Sequence, residues 1–98
     1  MTDQELADAL VALGIGQCQH GKWYGIDHSG DDAFRFVRDW RVAGAVMELL
    51  LKKQDFRMSA QFLDSNTVAV LIVGESEGQD KSLPRAICEA GVEALNND

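Results

Sequence analysis

Cysteine is scarce in this chain: Cys18 and Cys88 stand seventy residues apart, with no others. Two distant thiols cannot build the dense disulfide framework that small secreted domains use in place of a core, so they read as reduced thiols of a cytosolic protein. Proline occurs once, and 46% of the 98 residues are apolar. That composition excludes a proline-rich linker or a disordered tract and fits one globular domain spanning 1–98. Long hydrophobic runs are missing too, since no stretch approaches the roughly 18–20 residues that cross a bilayer. The opening MTDQELADAL carries acids where a secretory leader would carry bases.

Basic charge is the other shortage. Nine Lys and Arg face sixteen Asp and Glu, a net charge of −7. Residues 1–32 hold six acids and one base (−5), residues 64–98 hold seven acids and two bases (−5), and residues 33–63 hold six bases and three acids (+3). An acidic chain is repelled by nucleic acid and by anionic membrane, and it favours basic protein surfaces.

Thr2 and Glu5 form a capping box that starts a helix whose apolar stripe is Leu6, Ala9, Leu10 and Leu13, with Gly14 as its stop. The following GQCQHGKW, residues 16–23, is one letter from a phosphate-binding loop, with Trp23 where Ser or Thr should stand. Such a loop needs a strand before it and a helix after it; here the order is reversed, and KWYGI reads as a strand. The segment is expected to be a short hairpin turning at His20-Gly21. DHSGDD, residues 27–32, resembles the start of a calcium loop but lacks the glycine at position 6 and the glutamate at position 12. It reads as an acidic turn, with Ser29 or Asp31 capping the next helix.

Residues 33–53 are expected to be mainly helical, starting near Asp32 or at Trp40 after an Asp39 cap. Phe36, Trp40, Ala43, Met47 and Leu51 supply its buried stripe, and Gly44 a close contact. Phe56, Met58, Ala60 and Phe62 alternate with polar residues, as in a strand with one buried face. TVAVLIV, residues 67–73, suits an interior strand covered on both sides. Residues 74–80 are expected to be a flexible acidic loop. Ser82 then caps a final helix buried through Leu83, Ile87, Ala90, Gly91, Ala94 and Leu95. The fold class is α+β: a small antiparallel sheet layered with about three helices.

RDWRVAGAVMELL, the two apolar strands and SLPRAICEAGVEAL together resemble the phage ABA-sandwich domain family, small proteins of tailed phages and prophages, over roughly residues 37–95. The resemblance implies a sheet packed between helices and a phage origin, which together with the reduced thiols gives the bacterial host cytoplasm as the expected location. It implies no catalytic residues.

No motif assembles an enzyme. Cys18, His20 and His28 have no recognised zinc spacing and no evident fourth ligand, and a Cys–His pair lacks an orienting group. We expect no catalytic residue, no metal and no cofactor, and therefore a non-enzymatic binding protein. The first expectation is an anti-defence inhibitor of anti-CRISPR type, covering a basic surface of a host immune complex with Asp27, Asp31, Asp32, Glu75, Glu77 and Asp80. Trp23 and Tyr24 are either a binding platform or the plug of the small sheet. The alternative is a phage accessory or assembly protein, homo-oligomeric through a sheet edge or through these aromatics. A third is a small metal- or ligand-binding enzyme around Cys18, His20 and Asp27.

Overall fold

A computed structural model describes residues 1–24, 30–53, 58–64, 67–72 and 76–96. Helix α1 (Asp3–Ala12) begins with the expected capping box: Thr2 Oγ1 accepts from Glu5 N at 3.1 Å, and Glu5 Oε1 accepts from Thr2 N at 2.9 Å. Gly14 follows with φ +87°, ending the helix in the left-handed region. Strands β1 (Gln17–Gln19) and β2 (Lys22–Tyr24) form an antiparallel hairpin in which Cys18 faces Trp23. Its two turn residues, His20 (φ +53°) and Gly21 (φ +75°), are both left-handed, the geometry of a type I′ turn. The phosphate-loop look-alike is thus the turn of a hairpin, with Lys22 in its second strand. A short β3 (Gly30–Asp31) completes this first sheet against β2.

The helical stretch is broken. A single turn, α2 (Ala33–Phe36), is capped by Asp32, whose Oδ1 accepts from Arg35 N at 2.9 Å. The cap is neither Ser29, outside the described residues, nor Asp31, which is paired in β3 opposite Trp23. Helix α3 (Trp40–Lys53) starts afresh after Asp39, whose Oδ1 accepts from Arg41 N at 2.8 Å. This break corrects the expected stripe. Phe36 and Ala43 are buried, but Trp40 is 59% and Leu51 63% exposed, and the inward face consists of Val42, Ala43, Val46 and Leu50. Restarting the helix at Asp39 decouples the faces of α2 and α3, so Phe36 and Trp40 no longer share one. Gly44 makes no close contact either; a Cβ there would meet nothing within 4 Å.

The second sheet contains β4 (Met58–Asp64), β5 (Thr67–Ile72) and β6 (Ser76–Asp80), antiparallel in that order. Residues 76–80, expected as a loop, are therefore an edge strand. Its polar SEGQD conceals the reason: Gly78 lies so close to the last helix that a Cβ would strike the Ala86 carbonyl oxygen and come within 2.8 Å of Ala90 N. That helix, α4 (Leu83–Asn96), is begun by Ser82, whose carbonyl accepts from Ala86 N and whose own N–H bonds to Asp80 Oδ1 at 2.9 Å.

Helix α4 is the centre of the molecule. It packs on β5 and β6 with one face and on α1 and α3 with others. Gly91 lets Val46 of α3 approach, and Ile87, Cys88, Val92 and Leu95 join Leu6, Leu10, Phe36 and Leu50 in one core. The chain is α+β, with two small antiparallel sheets and four helices among the described residues. Its layering runs sheet, α4, then α1 and α3, so a helix lies between the second sheet and the other helices. On the sheet's far face, Gln61 and Gln79 flank Ala69 and are exposed. Central strand β5 is buried at Val68, Ala69 and Val70, while helix α4 covers it from one side.

Candidate functional site

The surface that departs most from an ordinary soluble face is β4. All seven of its residues are exposed, although the alternation of Met58, Ala60 and Phe62 leads one to expect a buried side. Register explains this. Ala60 pairs with Val70, which pairs with Gly78, and Gly78 touches α4; by alternation Met58, Ala60 and Phe62 point towards the helix side of the sheet. Helix α4 covers β5 and β6 but stops short of β4. Phe62 is consequently 81% exposed, with Leu63 and Met58 also exposed beside it. A groove of about 300 Å³ runs along this uncovered strip, walled by Ala60, Phe62 and Val68 on the sheet and by Lys81 and Leu83 at the start of α4.

As the first strand of the β4–β5–β6 order, β4 also leaves one backbone edge unpaired among the described residues. Proteins usually protect such an edge with proline, lysine or a bulge. Met58–Phe62 has no proline and no charge, and its pairing with β5 is regular; the register shifts only beyond Phe62, before Asp64.

The hairpin is different in kind. Trp23 is only 7% exposed and belongs to the core, so it fills the small sheet as a plug. Its indole Nε1 is buried with no hydrogen-bond partner among the described residues, a cost of about 1–3 kcal/mol offset by the area the ring buries. Tyr24 is half-buried against Gly30. Cys18 and His20 are exposed on β1 and the turn. Among the described residues no three His, Cys, Asp or Glu side chains come together as metal ligands.

The acidic candidates scatter into separate roles. Asp27 and Glu75 lie outside the described residues, as does His28. Asp31 is a β3 residue, and Asp32 is a helix cap. Glu77 is exposed and accepts from Gln79 Nε2 at 2.6 Å. Asp80 is half-buried and committed to Arg85, with Oδ2 3.1 Å from Nη1.

Arg85 was not singled out by sequence, yet it organises the densest polar cluster. It is only 6% exposed. Nε donates to Asp3 Oδ1 at 2.7 Å, Nη1 to Asp80 Oδ2 and to Glu89 Oε2 at 2.9 Å, and Nη2 to the Met1 carbonyl at 2.7 Å. Asp3 also holds Arg38 at 3.1 Å, and Arg38 stacks 3.7 Å over the Phe34 ring. Partial burial pushes the Asp3 carboxyl upward, but hydrogen bonds from Arg85 and Arg38, and then their positive charge, outweigh it and hold the group below its ordinary value. Every Arg85 donor atom has an acceptor, which marks this cluster as a clasp joining α1, β6 and α4. Cys88, in the same helix, is buried, and burial pushes its thiol up to about 12 despite Arg85 nearby.

No helix among the described residues is long and apolar enough to cross a membrane. No protein-family model, no curated protein and no solved structure matches the chain.

Proposed function

We propose that this protein acts by binding another protein, with no chemistry of its own, as a small phage or prophage protein of the ABA-sandwich kind. The observation that carries the binding reading is the Met58–Phe62 part of β4: a strand edge with no charge, proline or irregularity, and with Phe62 exposed beside a groove. Aromatic side chains next to unpaired backbone are the elements of β-strand addition, in which main-chain hydrogen bonds give affinity and side-chain pockets give specificity. This geometry favours the accessory or assembly role.

The anti-defence role, an inhibitor covering a basic surface of a host immune complex in the bacterial cytoplasm, is favoured by a different observation. Net charge is −7, and Asp32 and Glu77 lie on the surface. The two roles part on salt. Binding of a basic host surface weakens as salt rises, whereas binding through the uncharged Met58–Phe62 edge is insensitive to it or is strengthened.

The test is capture of partners from infected host lysate by the wild-type protein and by Phe62→Lys. Loss of the captured protein with the variant supports binding at β4. Undiminished capture by Phe62→Lys moves the binding surface elsewhere, and no capture by either protein, from a chain that also stays monomeric, contradicts the reading.

A further inference from the structure

We infer that the occupant of the β4 edge is a second copy of this chain, paired antiparallel through Met58–Phe62 about a two-fold axis at Ala60. The inference rests on the binding reading above and adds the identity of the partner. The strand itself specifies the register. Centring on Ala60 uses only the segment that pairs regularly with β5 and leaves the irregularity beyond Phe62 outside.

In that register Ala60 faces the partner's Ala60, Met58 faces the partner's Phe62, and Ser59 faces the partner's Gln61. Each pair is chemically matched. The helix-side residues of the strand pair are all apolar, with the partner's Met58 seated against Phe62 at the groove, where a flexible thioether beside a ring edge is favourable and Lys81 stands at the wall. The far face carries only neutral polar pairs, and no like charges meet across the five residues. A one-residue slip would centre the axis on Gln61, oppose Ala60 to Phe62 and draw the irregular Leu63 into the ladder. A two-fold axis perpendicular to the sheet keeps both α4 helices on one side, so each groove lies over one of the two Met58–Phe62 pairs. The product is one six-stranded sheet.

A single strand pair is a small interface, and each copy carries −7. Association is therefore weak at low salt and becomes tighter as salt screens the repulsion. This is opposite to the response of a basic partner.

The experiment is sedimentation equilibrium from about 10 µM to about 1 mM, the range suited to a small interface, at about 0.05 M and about 0.5 M NaCl. The expected mass rises from 10.8 kDa towards twice that value with concentration, and further at the higher salt. Phe62→Lys, a change at a side chain already in solvent, should remain monomeric with an unchanged melting curve. In a Cys18→Ser background, Ala60→Cys should cross-link on mild oxidation, and Gln61→Cys far more slowly.

A monomeric mass under all conditions overturns the second copy, as does a dimer that survives Phe62→Lys. If the mass is monomeric while Phe62→Lys still abolishes capture of another protein, only this inference fails. If capture is also unaffected, the β4 binding reading fails with it.

Discussion

Arg85 Nε lies 2.7 Å from Asp3 Oδ1, joining residues 82 positions apart in the chain. Asp3 sits in the first turn of α1, where the positive helix end also favours a carboxylate. Arg85 sits in the first turn of α4, where a cation is disfavoured by the same field. The three carboxylates around it offset that penalty. The N-terminal helix is thereby tied to the central helix and to edge strand β6 by one side chain.

Replacing Arg85 with Met keeps the stem and removes all four donated bonds, leaving Asp3, Asp80 and Glu89 facing one another. We expect a loss of about 3 kcal/mol, near the lower limit for breaking a buried pair because the acids retain some water. Denaturant unfolding measures it. A loss under about 0.5 kcal/mol would place this cluster among ordinary surface ion pairs.

Acid sensitivity follows from Asp3. Its carboxyl titrates below the ordinary value in the folded protein, so the charged form stabilises the fold above the unfolded value near pH 4. That contribution is lost as pH falls through the lower, folded value. Stability measured from about pH 6 down to about pH 2 should fall less steeply in Asp3→Asn than in the wild type, starting from a lower plateau. Parallel curves would remove Asp3 from the account.

Three glycines separate by their surroundings. Gly78→Ala drives a Cβ into the α4 backbone at Ala86 and Ala90, atoms that cannot rotate away, and should cost about 3 kcal/mol or more. Gly91→Ala meets Val46, a side chain held in the core, and should cost about 1–2 kcal/mol. Gly44→Ala meets nothing within 4 Å in mid-helix and should stabilise by about 0.5–1 kcal/mol. Thermal melts of the three variants check the order.

The thiols should differ sharply. Cys18 is exposed on β1, whereas Cys88 is buried with its thiol held neutral. A thiol reagent at pH 8 should modify one cysteine quickly in the native protein and both in denaturant. Rapid modification of two native thiols would show that α4 does not hold its core position.

Local chemistry made the helix starts and the hairpin readable. Thr2 with Glu5, and Ser82 ahead of Pro84, state a helix start within four residues, and His20-Gly21 states a two-residue turn. What stayed hidden depends on distant partners. Trp40 and Leu51 have the spacing of a buried stripe, and only the restart of α3 at Asp39 turns them outward. Strand β6 has no apolar residue to reveal it, because its contact with α4 is made by a glycine's missing side chain. Met58, Ala60 and Phe62 alternate as a buried face should, yet burial requires a covering element, and α4 ends its reach at β5. The acidic candidates illustrate the same limit: Asp32 is set apart from an ordinary carboxylate by its bond from Arg35 N, and half-buried Asp80 by its bonds from Ser82 N and Arg85.

The central claim is that the β4 edge is a binding surface, and residue-resolved amide hydrogen exchange along Met58–Phe62 tests it most directly. With β4 occupied by a second copy, the outward amides of this segment should exchange freely in dilute protein and become protected as concentration and salt rise, with the β1–β2 hairpin unchanged. Exchange along β4 that stays equally fast at every concentration, with and without captured partner, would contradict the account.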